Sequence, residues 1–132
     1  MIERQNYLKT QKHLVYLGEV LQLTPASLER YRFYLRHLLL WAGDKDFKEA
    51  QDIRPTFPTY LSAVPGKDNK GTLAGATQKK ILDTSKRFFR WAKAAYPREL
   101  NNLPLAWIDT LRLTRQPQAS SENVFVSEDE VK

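Results

Sequence analysis

The sequence contains no cysteine among its 132 residues. Disulfide bridges, thiolate metal sites and cysteine nucleophiles are therefore excluded, and a reducing compartment fits this composition. Long apolar runs are also missing, since the longest, residues 38–42, is far too short to cross a bilayer. The N-terminus has none of the apolar character of a signal peptide. We therefore expect a protein that acts in the cytoplasm and has no membrane partner.

The residue patterns of common active sites are missing as well. Two histidines, His13 and His37, have no carboxylate at the spacing of metal ligands. The three glycines between residues 65 and 76 match neither a P-loop nor a dinucleotide-binding loop. No serine stands in a nucleophile-elbow motif. We expect no metal, no cofactor and no catalysis by this chain.

What the sequence does have is an ordinary globular composition with a basic balance. Apolar residues make up 42%, which is enough to build a core and argues against disorder. Lysine and arginine number 21 against 15 acidic residues, giving a net charge of +6. This balance favours a polyanionic partner, although a solvated basic surface is the alternative.

Hydrophobic periodicity predicts an all-α fold, a bundle of four to five helices, with no segment typical of a strand. Thr24 and Pro25 form a helix start, Gly43 a helix stop, and Thr77 the cap of a later helix. Residues 45–52 resemble a polar connection and residues 65–76 a glycine-rich loop. The predicted helices cover residues 3–22, 25–42, part of 55–64, 77–96 and 105–113.

Three of these helices have an apolar face that we expect to be buried. On the first helix it comprises Tyr7, Leu14, Leu17 and Leu21. On the second it comprises Leu28, Tyr31, Leu35, Leu38, Leu39 and Ala42. On the helix of residues 77–96 it comprises Ile81, Leu82, Ser85, Phe88, Phe89, Ala92 and Tyr96.

The helix of residues 77–96 is the most basic segment, with six lysines and arginines against one acid, Asp83. A basic face opposite a packed aromatic face is suited to lie against DNA, and the major groove admits a helix. Thr77 at its start would add free backbone N–H groups for a phosphate. The alternative is a solvated lysine-rich face. The helical wheel places Lys79, Lys80, Arg87 and Arg90 on the basic side.

The second helix carries arginines at 30, 32 and 36 and aromatic residues away from its main apolar stripe. Phe33, Tyr34 and Trp41 either pack against another helix or are partly exposed at a contact surface. The sequence leaves these two possibilities open.

The two long helices together resemble a pair of motifs in a known family. The first segment has Ser27, Tyr31 and Leu35 in a Ser/Thr-x3-Tyr-x3-Leu pattern. About fifty residues later the second segment has a Thr-x4-Leu-x5-Phe-Phe-x-Trp pattern. The chain in this respect is similar to the N-terminal, SAM-like core-binding domain of tyrosine recombinases, the phage-integrase family. The matching residues of the second pattern are Thr77, Leu82, Phe88, Phe89 and Trp91.

This resemblance implies that the two helices cross the major groove of a recombination half-site. It divides the chain into a DNA-binding domain over residues 1–114, a linker over 115–123 and the start of a catalytic domain over 124–132. Residues 1–22 would be an extra N-terminal helix. Positions implied to contact DNA are Arg30, Phe33, Arg36, Thr77, Lys79, Lys80, Thr84 and Arg87.

Lys67 and Lys70 in the loop are further candidates for DNA contact on their charge alone, and the helical wheel adds Arg90 to these candidates. The parent protein would be an integrase of a prokaryote, phage or mobile element, active in DNA integration or recombination. The partners implied are double-stranded DNA, the protein's own catalytic domain and other recombinase subunits on the DNA. Strand exchange would be performed by the catalytic domain, so this chain itself would not be an enzyme.

A helical protein-interaction module is the alternative function, with its basic charge incidental. Its contact surface would be the stripe of Tyr7, Leu14 and Leu21 or the patch of Phe33 and Trp41.

Overall fold

The computed structural model describes residues 2–65 and 73–113, and every regular element within them is helical. The all-α prediction is therefore confirmed for this part of the chain. Lys67, Lys70, the predicted linker and residues 124–132 lie outside the described residues. None of the described helices has the length and apolar character needed to cross a membrane. The elements are α1 (Arg4–Glu19), α2 (Pro25–Ala42), a 3₁₀ helix (Phe47–Asp52), α3 (Phe57–Ser62), α4 (Gly75–Ala95) and α5 (Leu105–Ile108).

Helix α2 has the ends that the sequence predicts. The Thr24 side chain accepts a hydrogen bond from the backbone N–H of Ser27 at 3.2 Å, and Pro25 occupies the first turn. At the other end Gly43 adopts a φ of 60°, which a residue without a β-carbon does at little cost. Both the start and the stop of α2 are thus confirmed.

Helix α4 begins before its predicted cap. Its N-cap residue is Ala74, which makes no side-chain capping hydrogen bond, and Thr77 lies inside the first turn. The prediction of Thr77 as the cap is therefore wrong. Gly75 and Ala76 accept helical geometry, and the Gln78 side-chain amide donates to the Leu73 carbonyl at 2.9 Å. That bond helps to fix the chain where it enters the helix.

The core is centred on adjacent phenylalanines of α4 and on the 3₁₀ helix. Phe47 is fully buried, and its ring lies edge-on to Phe88 and Phe89 with both centroid distances at 5.4 Å. Residues 45–52 are therefore not merely a polar connection. A six-residue 3₁₀ helix is too short to show a hydrophobic period, so the sequence pattern missed it. Asp46 caps the element by accepting from the Lys48 N–H at 3.0 Å.

Helix α1 packs against α2 and α4 with a face that agrees only in part with the predicted one. Leu14 and Leu17 are buried as expected, whereas Tyr7 is 48% exposed and Leu21 is 46% exposed. The apolar stripe predicted for α1 is therefore wrong in part. Polar residues replace the outer members of the stripe because each, His13 apart, finds an internal partner. The buried polar residues of α1 are Asn6, Lys9, Thr10 and His13.

Two of these polar residues join α1 to distant parts of the chain. The Asn6 side chain donates to the Lys45 carbonyl at 2.7 Å and accepts from the Phe47 N–H at 2.9 Å. The Lys9 amine lies 2.8 Å from a Glu99 carboxylate oxygen and 4.9 Å from the centre of the Tyr96 ring. Amphipathic periodicity cannot reveal such bonds, because the partners are more than thirty residues away.

The structure also resolves the open question about Trp41. Its indole is buried, and Nε1 donates to the Pro55 carbonyl at 2.8 Å. The patch of Phe33 and Trp41 suggested for a protein-interaction module is therefore not formed. Near the end of the described chain, Ile108 and Leu111 are buried, whereas Leu105 is exposed.

Candidate nucleic-acid interface

A groove of about 290 Å³ runs between α2 and α4 on the outside of the bundle. Each helix contributes four residues to it, and three of the eight are basic. We call this surface the α2–α4 groove. It is lined by Ser27, Arg30, Tyr31, Tyr34, Lys80, Asp83, Thr84 and Arg87.

The α2 side of the groove follows from helical geometry. Its residues are spaced at three, four and seven positions from Ser27, which places them on one face. The Ser27 hydroxyl accepts from the Thr24 hydroxyl at 3.1 Å and from the Arg30 guanidinium at 3.2 Å. The cap of α2 therefore also positions the Arg30 side chain at the groove.

An arginine on the α4 side contacts the opposite wall. The guanidinium carbon of Arg87 lies 5.9 Å from the centre of the Tyr31 ring, at the outer limit of a cation–π contact. Its Nη1 atom is 3.5 Å from the Tyr31 hydroxyl. The two helices thus meet across the groove through one aromatic and one cationic side chain.

The groove carries unneutralised positive charge. Arg30, Lys80 and Arg87 form no ion pair within residues 2–65 and 73–113. The one acid in the groove, Asp83, is 3.1 Å from the Lys79 amine. That pair is close to neutral, so the field in the groove is set by the other three cations and favours an anion.

Three other residues of α4 that were predicted to contact DNA do not line the α2–α4 groove, namely Thr77, Lys79 and Arg90. Lys79 is paired with Asp83, and Arg90 is paired with Asp109 at 2.8 Å, yet all four side chains are more than half exposed. Exposed pairs contribute at most about 1 kcal/mol, so both cations remain available to a stronger anion. Thr77 is half-buried in the first turn of α4.

Thr84 and Lys93 are less accessible than a wheel suggests. Thr84 lines the groove but is only 5% exposed, so little of it is available to a ligand. The Lys93 amine donates to the Leu100 carbonyl at 3.2 Å and to the Leu103 carbonyl at 2.6 Å. Lys93 thereby holds the segment after α4 instead of adding charge to the groove.

Phe33 and Arg36 lie on a different surface. Both line a second groove of about 400 Å³ between α1 and α2, which we call the α1–α2 groove. The structure therefore divides the predicted DNA-contact residues of α2, with Arg30 on one surface and Phe33 and Arg36 on another. This division arises because three-residue steps advance only 300° around a helix, so the three positions drift around α2.

The His13 side chain of α1 is buried against helix α4. His13 is fully buried among aromatic rings, with centroid distances of 5.4 Å to Phe88 and 4.9 Å to Trp91. Burial, and then the positive charge of Arg87, lower the pKa of His13 to about 4. The pKa of His37 is likewise lowered by burial and by Arg36. Neither histidine therefore adds to the positive charge at neutral pH.

Three residues of the groove are not predicted by the sequence pattern, namely Tyr31, Tyr34 and Asp83. Tyr31 was expected in the core, and it is half-buried at the groove wall. The available signal was the set of residues 27, 30, 31 and 34, whose spacing is that of a single helical face. Considering the basic residues alone hides this mixed polar and aromatic surface.

Comparisons with protein families, with curated proteins and with solved structures gave no match for this chain. In the described part of the chain, no three histidine or acidic side chains come together in a way that would hold a metal ion.

Proposed function

We propose that this chain binds duplex DNA through the α2–α4 groove. The observation that carries the proposal is the convergence of Arg30, Lys80 and Arg87, from two helices, on one groove without carboxylate partners among the described residues. Cations on a single helix are common on solvated surfaces. Convergence from two helices onto one concave surface is more typical of an anion-binding site.

The dimensions of helix α4 support a duplex as the anion. Helix α4 has 21 residues, and an α-helix with its side chains, about 10–12 Å across, enters the major groove. Cations on both walls of a groove can neutralise phosphates along the DNA backbone, and such contacts supply essentially all of the non-specific affinity of DNA-binding domains and a large share of the specific affinity.

The finer proposal concerns the family. The paired motifs of α2 and α4 favour a SAM-like core-binding domain of a site-specific tyrosine recombinase, and the packing of these two helices against each other supports it. In this proposal the domain clamps one recombination half-site in the cytoplasm of a prokaryote. The protein's catalytic domain and other subunits on the DNA are its partners, and strand exchange is performed by that catalytic domain.

The DNA-binding proposal is tested with a charge-matched pair of triple variants. One replaces Arg30, Lys80 and Arg87 by alanine. The other replaces Lys12, Lys48 and Arg98, which are exposed and lie outside the α2–α4 groove. Net charge changes equally in both, so a difference reports on location alone.

Binding of a fluorescent mixed-sequence duplex is measured at salt concentrations from about 50 to 200 mM. We expect the groove variant to bind at least about tenfold more weakly, and its log–log salt slope to be shallower by about 2.7, since each lost phosphate contact contributes about 0.9. The control variant should change by much less. Equal losses in both variants, or no duplex binding by the wild type at the lowest salt, would contradict the proposal.

The family proposal has its own test in the parent gene. An arginine soon after residue 132, followed late in the chain by a His-x-x-Arg motif and a tyrosine, is expected. A gene that continues without these residues would leave DNA binding possible and would exclude a tyrosine recombinase.

A protein-interaction module is the second candidate, and the α1–α2 groove favours it. Phe33 is 51% exposed there beside Tyr7, on a mostly apolar surface. Exposed apolar surface of this kind is common at sites where proteins bind each other. A Phe33→Ser variant that binds duplex DNA as the wild type does, but no longer retains a protein partner, would assign this function to the α1–α2 groove.

A further inference from the structure

One residue of the α2–α4 groove has a charge opposite to that of the basic residues that line it. Asp83 is an acid on the surface where Arg30, Lys80 and Arg87 converge. A carboxylate that faces DNA phosphates weakens binding by like-charge repulsion. A surface that bound DNA by positive charge alone would not be expected to contain this carboxylate.

The stability of α4 does not account for Asp83. Its carboxylate pairs with Lys79, but both side chains are more than half exposed, and such pairs contribute little. Aspartate is also a poor helix former in a helix interior. Asp83 lies beyond the first two turns of α4, so it is too far from the N-terminus to benefit from the helix dipole.

Asp83 lies between two basic groove residues of α4, Lys80 and Arg87. Lys80 and Arg87 are separated by seven residues, which corresponds to a rise of about 10.5 Å. The major groove of B-DNA is about 12 Å wide. With α4 lying across that groove, the two long cationic side chains extend toward the backbones at its edges. Asp83, between them and short, is left facing the edges of the bases.

We propose that Asp83 is a specificity-determining residue that accepts a hydrogen bond from the exocyclic amino group of a cytosine in the major groove. This inference rests on the proposed duplex binding. Only cytosine and adenine present an amino donor there. In adenine the donor lies beside N7, an acceptor that repels a carboxylate, so cytosine is the better partner. Guanine and thymine present acceptors at the corresponding positions and are rejected.

The inference is tested by selecting duplexes from a randomised library with the 132-residue chain. Four proteins are compared at one salt concentration: wild type, Asp83→Asn, Asp83→Ala and Lys79→Ala. The Lys79→Ala variant removes the ion pair while keeping the carboxylate, so it separates base recognition from any structural role of the pair. Circular dichroism confirms that each variant is folded.

We expect the wild type and Lys79→Ala to enrich cytosine at the same position of the selected sequences, although Lys79→Ala should bind every duplex more weakly because a cation is lost. Asp83→Ala should lose that enrichment and bind mixed-sequence duplex more tightly, because the carboxylate that compensates the charge of Lys79 is removed. Asp83→Asn should shift the preference toward adenine, which an amide can bind through both N6 and N7.

The outcomes distinguish this inference from the proposed function. If the wild type selects sequences and both Asp83 variants keep the same cytosine, duplex binding stands and the role of Asp83 is overturned. Enrichment of adenine by the wild type at the position that depends on Asp83 overturns the choice of cytosine. If the wild type binds no duplex, both are overturned.

Discussion

The guanidinium of Arg87 on α4 lies against the ring of Tyr31 on α2, with 5.9 Å between the guanidinium carbon and the ring centre. The ring and its hydroxyl, which lies 3.5 Å from Nη1, limit where the arginine can extend, and the other guanidinium N–H groups are left to donate to an anion. Tyr31 therefore orients a basic side chain of the α2–α4 groove without carrying charge itself.

Replacing Tyr31 by leucine should weaken duplex binding by about two- to fivefold. The expected loss is about 0.5–1 kcal/mol, the usual contribution of a cation–π contact at an exposed site. Tyr31→Phe keeps the aromatic face and should bind nearly as the wild type does. The affinity of both variants is measured by fluorescence anisotropy at one salt concentration. Equal losses in the leucine and phenylalanine variants would assign the effect to the hydroxyl.

The ion pair between Lys9 and Glu99 predicts an asymmetric response to mutation. The Lys9 side chain is only 2% exposed, whereas Glu99 is about half exposed. Glu99→Ala leaves a buried ammonium group without its carboxylate and should lower the free energy of unfolding by about 1–3 kcal/mol, the usual cost of an unsatisfied buried donor. Lys9→Met removes the buried charge but keeps the apolar stem, so it should cost less. Urea denaturation of the two variants is the measurement, and a Glu99→Ala protein as stable as the wild type would refute the expectation.

His13 predicts that the fold weakens in mild acid. Its pKa is about 4 in the folded protein, whereas the ordinary value of 6.5 applies when the chain is unfolded. Between these two values the unfolded chain binds a proton that the folded chain does not. Stability due to His13 is therefore complete above pH 6.5 and should fall by about 2 kcal/mol by pH 5. His37, whose pKa is also lowered, acts in the same direction.

Chemical denaturation at a series of pH values from 5 to 8 measures this dependence. A His13→Leu variant is the control, since it fills the same aromatic surroundings without a titrating group. It should retain only the pH dependence of His37 and of the other ionisable groups. A variant with the full dependence of the wild type would show that His13 is not responsible.

Phe47→Ala should lower the free energy of unfolding by about 3–5 kcal/mol, the usual cost of emptying a phenylalanine site in a core. Phe47 is fully buried against the two central phenylalanines of α4. Lys48→Ala, in the same 3₁₀ helix but exposed, is the matched control and should change stability by less than about 0.5 kcal/mol. The midpoint of thermal unfolding separates the two. Similar midpoints would mean that this segment is not part of the core.

The parts of the structure that depend on residues close together along the chain could be predicted from the sequence. Thr24, Pro25 and Gly43 determine the ends of α2 through local capping and backbone geometry, and the adjacent phenylalanines of α4 mark its buried face. Of the predicted DNA-contact residues, Arg30, Lys80, Thr84 and Arg87 meet in one groove. Capping residues and helical periodicity together carry this information.

The placement of a side chain that depends on a distant partner could not be predicted from the sequence. Asn6 and Lys9 are buried because their hydrogen-bonding groups meet atoms far along the chain, which a pattern within one helix does not contain. Phe33 and Arg36 have the right residue types for DNA contact, but α1 packs beside them and forms a separate groove. Which face of α2 each residue shares with a neighbouring helix is a tertiary property.

The way Asn6, His13 and Leu17 enter the core limits how this protein can be dissected. A shortened chain that began at α2 would retain every basic residue of the α2–α4 groove. It would also expose the aromatic surface around Phe88 and Trp91 and release the Phe47 N–H from its side-chain acceptor. Such a fragment should aggregate or fold poorly. The smallest unit in which the proposed DNA binding can be tested therefore includes α1, even though α1 contributes no residue to the groove.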